Sequence, residues 1–349
     1  MMSNVFHILS STSELDALAQ IRIFAHRSQS NHVCVCLEDP QSNHPSLQNW
    51  LGKNVTLHAP TSPSPWIQTF QLYRHGRAIN RSSDFGLCWD PGRFSMAGLA
   101  LLSQLKGWSS IITTPSKREL TFPGITGQRV LQGSKQIYVS SEYLQNQHFH
   151  DSVVLSPLVD TNLPESSQLD LRSQFDLPQD AQVILSLGRF DSYSRLKESI
   201  WIMGILEHLH PNIHLILCGT GPQKRILECY RDQMVLRPRV HFLEPWIELA
   251  AALQQSDCLL VPADHSGRDW AIQQAIQLNL PVVASRSDGN LESIAHQDHG
   301  FIGGPSAGGL ARLIHQLMID PALCSEDKPE GSKTLPPPTW DDWSRLLSQ

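Results

Sequence analysis

Three short stretches of the chain combine glycine with a cation or a helix start, the features that together hold an anion. Gly188-Arg189-Phe190 directly follows the apolar run 183–187. An arginine there can clamp a diphosphate through paired hydrogen bonds. Arg195 and Lys197, just downstream, can add charge. A solvated arginine on a turn is the plain alternative. Cys218-Gly219-Thr220-Gly221-Pro222 ends a second apolar run, 213–218, and opens a helix. Its glycines allow backbone to approach a ligand, and the helix start offers free N–H groups. A tight strand-to-helix turn explains the same residues equally well, and the third glycine of a dinucleotide fingerprint is missing. The stretch 262–270 joins a third run, 258–261, to a helix, with Gly267 followed by Arg268 and Asp269. That charged pair reads as part of a site or as a surface ion pair worth ~0–1 kcal/mol. All three stretches lie just after strands, where parallel sheets bind ligands, and so are expected to converge on one cleft.

Strands must carry these loops, and the pattern supplies them. Apolar runs at 5–9, 33–37, 85–88, 110–113 and 136–139 alternate with helical spacing at 96–105 and at 15–24, where Leu15, Leu18, Ile21 and Phe24 recur. The alternation is cleaner later, with strands at 183–187, 213–218, 240–243, 258–261 and 281–284. Helices are expected at 197–209, 223–234 (opened by Pro222), 247–255, 270–278 and 310–318. Strands alternating with helices predict βαβ units, hence an α/β chain of two doubly wound, Rossmann-like domains. The break falls in 157–177, rich in Pro, Asn, Ser and Asp. The expected organisation is a domain at 1–157, a linker at 158–177, a second domain at 178–324, a Pro-rich linker at 325–338 and a helix at 339–349. Thr339 is placed to cap that helix, with Trp340, Trp343 and Leu347 on one face. Residues 40–83 carry little pattern.

Composition bounds the function. Charged residues make up 17% of the 349 residues, below the usual ~25%. Lys and Arg number 27 against 33 Asp and Glu, a net charge of −6, so the basic footprint of a nucleic-acid binder is absent. No apolar run reaches the ~18 residues of a membrane span, and the first residues do not read as a signal peptide. The seven cysteines include no Cys-x-x-Cys pair, so buried, reduced thiols of a cytoplasmic protein are expected.

Over residues 181–295 the chain resembles the donor-binding domain of the group 1 (family 4) glycosyltransferases, which have the two-Rossmann GT-B fold. Leu187-Gly188-Arg189-Phe190 is similar to the family's G-R-L strand end, and Gly219-Thr220-Gly221-Pro222 to its G-x-G-P turn. The strand 240–243 resembles R-V-x-F-L-G, and 256–262 resembles A-D-x-x-x-x-P. The stretch 274–285 resembles E-A-M-A-x-G-x-P-V-V-A-T, and Gly289 and Glu292 fit G-G-x-x-E. Elsewhere, Trp89-Asp90-Pro91 resembles the acceptor-domain loop H-x-H-[DE]-P, 137–144 the segment before the crossover, and 339–347 the terminal Trp helix that braces the first domain. This sequence departs from the family at its paired glutamates. Aligning Gly267 and Ala275 puts Ser266 and Gln274 at those places. Trp89 stands for the acceptor-side histidine, Ser10 to Ser13 for a glycine pair, and Ser194 for a lysine.

The resemblance implies two domains facing across a cleft and transfer of a sugar, with retention, from a nucleotide sugar to a glycan or lipid-linked acceptor. No metal ion or other cofactor is expected. Arg189, Lys197 or Arg195 and helix starts would stabilise the departing diphosphate. The donor site would comprise Gly188, Arg189, Arg195, Lys197, Gly219, Thr220, Gly221, Ser266, Gly267, Gln274 and Glu292. Asp90 would orient the acceptor hydroxyl or take its proton, or else serve as a turn aspartate before Pro91. The expected location is the cytoplasm, with room for peripheral contact at the inner face of the membrane. Two readings stay open beside transfer: a catalytically degenerate protein of this fold that binds nucleotide or glycan or scaffolds a partner, and a nucleotide-sugar epimerase, for which no acid/base set can be assembled from the residues.

Overall fold

The computed structural model describes residues 4–11, 14–28, 30–37, 45–58, 85–94, 107–115, 119–120, 124–160, 169–245, 247–294, 299–320 and 340–348. The helix expected at 96–105, the linker 325–338 and Thr339 lie outside them. The chain forms two compact units. The first comprises Met1–Leu158, Ser266–Arg268 and Pro337–Gln349, the second Val159–His265 and Asp269–Pro336.

The first unit is built on a seven-stranded sheet of β1 (Asn4–Leu9), β2 (Asn31–Cys36), β3 (Val55–His58), β4 (Phe85–Trp89), β5 (Trp108–Ile112), β6 (Ile137–Val139) and β7 (Val153–Val154). Its order is β3-β2-β1-β4-β5-β6-β7, and every pairing is parallel. The order reverses between β1 and β4, a topological switch point of the kind beside which such sheets bind ligands. The helix Leu15–Arg27 buries Leu15, Leu18, Ile21 and Phe24 and ends with His26 and Arg27 in its last turn, where positive charge complements the helix dipole. Ile8, Val35, Leu37, Cys88, Phe94 and Val130 form one core cluster, and Ile112, Val139 and Leu144 another.

Residues 340–348 complete this unit. An α-helix covers only Trp340–Ser344, and a 3-10 turn, Arg345–Ser348, follows. Trp343 is fully buried, with its ring 6.1 Å from that of Trp89 and 5.5 Å from that of Phe24. Its Nε1–H donates to Ser156 O at 3.0 Å. The tighter turn presents Leu346 to the interior, where it is also buried.

Beneath Trp343 lies a chain of buried polar groups. Trp89 Nε1–H donates to His7 Nδ1 at 3.2 Å, and His7 Nε2 meets His32 Nδ1 at 2.8 Å. His32 Nε2 in turn meets Ser28 Oγ. An indole N–H can only donate. His7 must therefore accept at Nδ1 and donate from Nε2, which leaves His32 donating to Ser28. One neutral tautomer of each ring satisfies the whole chain. Burial pushes His7 well below the ordinary histidine value, with His32 adding to the shift, and burial lowers His32 to about 4.

The second unit repeats the plan with six strands: β8 (Gln182–Leu187), β9 (Ile213–Cys218), β10 (Val240–Leu243), β11 (Cys258–Val261), β12 (Val282–Ser285) and β13 (Gly300–Gly303). The order is β10-β9-β8-β11-β12-β13, again wholly parallel, with its switch between β8 and β11. Every residue of β9 is buried, the pattern of a central parallel strand covered by helices on both faces. Ile184, Leu215, Leu217, Leu260 and Val283 pack with Ile200, Met203 and Ile314 in one core. The stretch read as a linker is structured from Leu169 onward. Asp170 caps a short helix, Leu171–Gln174, by accepting from Arg172 N–H and Ser173 N–H. Gln255 ties the same stretch to this unit, accepting from Leu171 N–H at 2.9 Å and donating to Leu169 O at 2.7 Å.

Candidate functional site

At the carboxyl end of the second sheet, the loops after β8 and β9 are knitted to each other. Phe190 N–H donates to Thr220 O at 2.9 Å, and Gln223 N–H to Phe190 O at 2.8 Å. Gly219 and Gly221 have φ of 159° and 152°. A Cβ on Gly219 would collide with Gly188 O, and one on Gly221 would lie 2.7 Å from Phe190 O. Both glycines are thus required by loop-against-loop packing, independently of any ligand. The helix that follows begins at Lys224, not at Pro222, because Gly221 and Pro222 form the turn that meets Phe190.

The cations expected there are distributed unequally. Arg189 Nε lies 3.4 Å from Asp191 Oδ2, and the arginine side chain keeps 25% of its exposure. Asp191 Oδ1 accepts from Tyr193 N–H and Ser194 N–H, which shapes the loop under Arg189. Arg195, in the left-handed region at φ 53°, donates to Pro305 O at 2.8 Å and to Glu198 Oε1 at 3.2 Å. The Lys197 ammonium sits 4.4 Å from the centre of the Tyr230 ring. Arg195 and Lys197 therefore serve the neighbouring helices, and Arg189 is the cation at the strand end.

The loops after β11 and β12 are also joined. Ala263 O accepts from Ser285 Oγ at 2.6 Å and from Asn290 Nδ2 at 3.4 Å, and His265 O accepts from Gly289 N–H. Asp269 caps the helix Trp270–Gln277, accepting from Ala271 N–H at 2.7 Å, and its other oxygen lies 3.9 Å from His265 Nε2. Burial pushes the Asp269 carboxyl up, against the pull of His265 and two backbone N–H groups. Three atoms in this neighbourhood, His265 Nδ1, Trp270 Nε1 and Asn290 Oδ1, are buried without a hydrogen-bond partner among the described residues. Buried polar groups are rarely left so, and each such exception calls for an explanation. Sequence reasoning missed all three. Glu292 stands in the adjacent short helix, Asp288–Ser293, and is half-buried.

Ser266, Gly267 and Gln274 are engaged by protein. Gln274 is fully buried; its Oε1 accepts from Asp160 N–H at 2.7 Å and its Nε2 donates to Asp160 O at 3.0 Å. Ser266–Arg268 fold with the first unit. There Ser266 N–H donates to Pro115 O, and Arg268 donates to Ser140 Oγ and Ser156 Oγ. A Cβ on Gly267 would collide with Thr113 O, so this glycine too is fixed by a close backbone approach.

In the first unit, Asp90 follows β4 in the left-handed region at φ 45° and is 5% exposed. Its two oxygens accept from Thr113 N–H at 2.8 Å and Thr113 Oγ1 at 2.6 Å, clasping the ends of β4 and β5. Asp90 also lines a pocket of this unit, together with residues of the helix side. Among the described residues, no group of three or more His, Cys, Asp or Glu is placed to hold a metal ion, and no helix is long and apolar enough to cross a membrane.

Comparisons with known proteins agree with this geometry. Residues 167–333, just under half of the chain, match the family described as glycosyl transferases group 1. The lipopolysaccharide core biosynthesis glycosyltransferase LpsD of Rhizobium meliloti is 28% identical over 165 residues, 47% of each chain. The match thus spans about half the length of that relative. Sucrose-phosphate synthase from Thermosynechococcus elongatus superposes with a TM-score of 0.65 at 17% identity, over 92% of this chain and 91% of that one. HepE of Anabaena, solved with UDP and glucose, gives 0.64 at 16% identity, over 93% and 92%. The fold is therefore that of the GT-B proteins, and residues 167–333 are similar to the group 1 glycosyl transferases.

Proposed function

We propose that the chain is a glycosyltransferase that moves a sugar, with retention, from a nucleotide-sugar donor to a glycan or lipid-linked acceptor. The observation that carries this reading is the end of the second sheet. Arg189 stands beside a switch point, and three buried polar atoms in the loops after β11 and β12 await partners. The diphosphate would take charged hydrogen bonds from Arg189, and the sugar's hydroxyls would satisfy His265, Trp270 and Asn290. No metal ion is needed in this scheme. Asp90 would orient the acceptor hydroxyl. The named relative and the nucleotide held by HepE support a nucleotide sugar as donor and a lipopolysaccharide-like glycan as product. Among the described residues six cysteines form no disulfide and five of them are buried, which suits a reducing compartment, so we place the reaction in the cytoplasm.

The test is calorimetric titration of the chain with a panel of nucleotide sugars, followed by a donor-hydrolysis assay on any that bind. Arg189→Ala should raise the dissociation constant about ten-fold or more, since a charged hydrogen bond is worth ~1.5–3 kcal/mol. A second reading, a binding or scaffolding protein without transfer, is favoured by Gln274 and Ser266, both of which are engaged by protein. Binding of a donor without turnover toward any acceptor would select it.

A further inference from the structure

His7 and His32 are both fully buried, and their bonds leave neither ring a place for a second proton. His7 Nδ1 accepts from the Trp89 indole, which can only donate, and His32 Nδ1 accepts from His7 Nε2–H. A proton on His7 Nδ1 therefore expels the Trp89 N–H, and one on His32 Nδ1 sets two N–H groups against each other. Trp89 is in turn stacked on Trp343, with 23° between the rings. Phe24 packs against both imidazoles and also against Trp340 and Trp343. We propose that this aromatic layer makes residues 340–348 a proton-operated latch, docked at neutral pH and released near pH 5 while the sheet of the first unit stays folded.

The segment contributes no strand to the sheet, and it is seated through the buried Trp343 and Leu346. Opening it gives up far fewer contacts than unfolding the unit. The titratable groups facing the pair are each other and Cys34, which stands beside His7 in the β1–β2 register and whose thiol burial pushes up, so it stays neutral. On β4 the neighbours are Leu87 and Trp89. The helix Leu15–Arg27 and its cap carry Glu14, bonded by Ser10, Asp16 beside Thr114, Arg22 over Trp50, and His26 and Arg27 in the last turn. The segment itself carries Asp341 and the pair Asp342 and Arg345. Of all these groups only His32 shifts His7, and burial alone shifts His32. Once released, a ring regains the ordinary value of ~6.5, whereas docked His32 stays at about 4. The released state thus binds protons that the docked state refuses, so docking is strongest above about 6.5 and weakens as pH falls. Between pH 7 and 5 each freed ring favours release by roughly 20-fold. The latch does not depend on the transferase reading.

Hydrogen exchange of the full chain at pH 7 and pH 5, corrected for intrinsic rates and read by mass spectrometry, tests the inference. Protection of 340–348 should fall by about ten-fold or more, while β1, β2 and β4 keep theirs. His7→Gln combined with His32→Gln supplies amides that accept and donate in the same places but take no proton, and should abolish the fall. If the double variant fails to fold by circular dichroism, His32→Gln alone leaves one titrating ring and should reduce the fall several-fold. Unchanged protection of 340–348 in the wild type, the same fall in a folded glutamine variant, loss confined to the stretch 24–32, or loss shared by the whole sheet would each overturn the proposal.

Discussion

Placing a glutamate at position 274, the residue the glycosyltransferase resemblance leads one to expect there, should destabilise this protein, and by an amount that grows with pH. The Gln274 amide is matched to both backbone groups of Asp160, accepting at 2.7 Å and donating at 3.0 Å, in a fully buried position. An ionised glutamate keeps the first bond but turns an oxygen lone pair toward Asp160 O. Breaking such a buried pairing with an uncompensated charge costs about 3–5 kcal/mol. A protonated glutamate restores both bonds, at about 1.4 kcal/mol for every pH unit above the ordinary carboxyl value of ~4.3, or about 3–4 kcal/mol at pH 7. Both routes give about 3–4 kcal/mol at neutral pH. The sign follows from linkage: the variant's folded state binds a proton that its unfolded state releases, so it loses stability relative to wild type as pH rises from about 4.5. Urea unfolding of wild type and Gln274→Glu at pH 5, 6 and 7 measures the difference directly. A variant as stable as wild type at pH 7, or a pH-independent gap, would show that Gln274 is not held as described.

Three further expectations follow from the packing. His32 is lowered to about 4, so its unfolded state binds protons before its folded state does, and stability drops as pH falls from about 6.5 toward 4. That amounts to about 2 kcal/mol between pH 7 and 5, and an imidazole NMR titration with its midpoint near 6.5 would contradict it. Val235 sits at φ 58°, 81% exposed, just past the helix Lys224–Gln233, in a conformation that β-branched residues avoid. Val235→Gly should raise stability by up to about 1 kcal/mol in thermal unfolding, the relief of left-handed strain outweighing glycine's greater freedom in the unfolded chain. Trp343→Ala removes a fully buried indole stacked on Trp89 and should cost about 3–5 kcal/mol in denaturant unfolding.

The second unit was legible because its central strands are buried on both faces and read as unbroken apolar runs. Its last strand, β13, was not, since Gly300-Phe301-Ile302-Gly303 offers two apolar residues between glycines and takes its order from pairing with β12. In the first unit, the helix Gly124–Gly133 carries three glycines and only a short apolar stripe, and β3 sits in a stretch without a clear period. At the site, Arg189 and the Gly219–Gly221 turn could be located from their spacing after strands. What each glycine does could not, because the Gly188 and Phe190 backbone that excludes a Cβ is some thirty residues away in the chain. The partner of Gln274, Asp160, is 114 positions distant. The unpaired atoms of His265, Trp270 and Asn290 exist only as a remainder once every other donor and acceptor has been matched, and no sequence pattern announces a remainder.

The membership of residues 340–348 in the first unit has a consequence for how the protein is made. Phe24 and Trp89 leave the ribosome early, yet the indole that covers both, Trp343, is translated only after the whole second unit. At ~5–20 residues per second, the interval between Leu158 and Trp343 lasts roughly 10–40 s. Through that interval the second unit can close on its own strands, while the first presents an aromatic hollow with His7 and His32 beneath it. The half synthesised first is therefore the half finished last, and nascent chains should engage holdase chaperones through the Phe24–Trp89 hollow until residue 343 arrives.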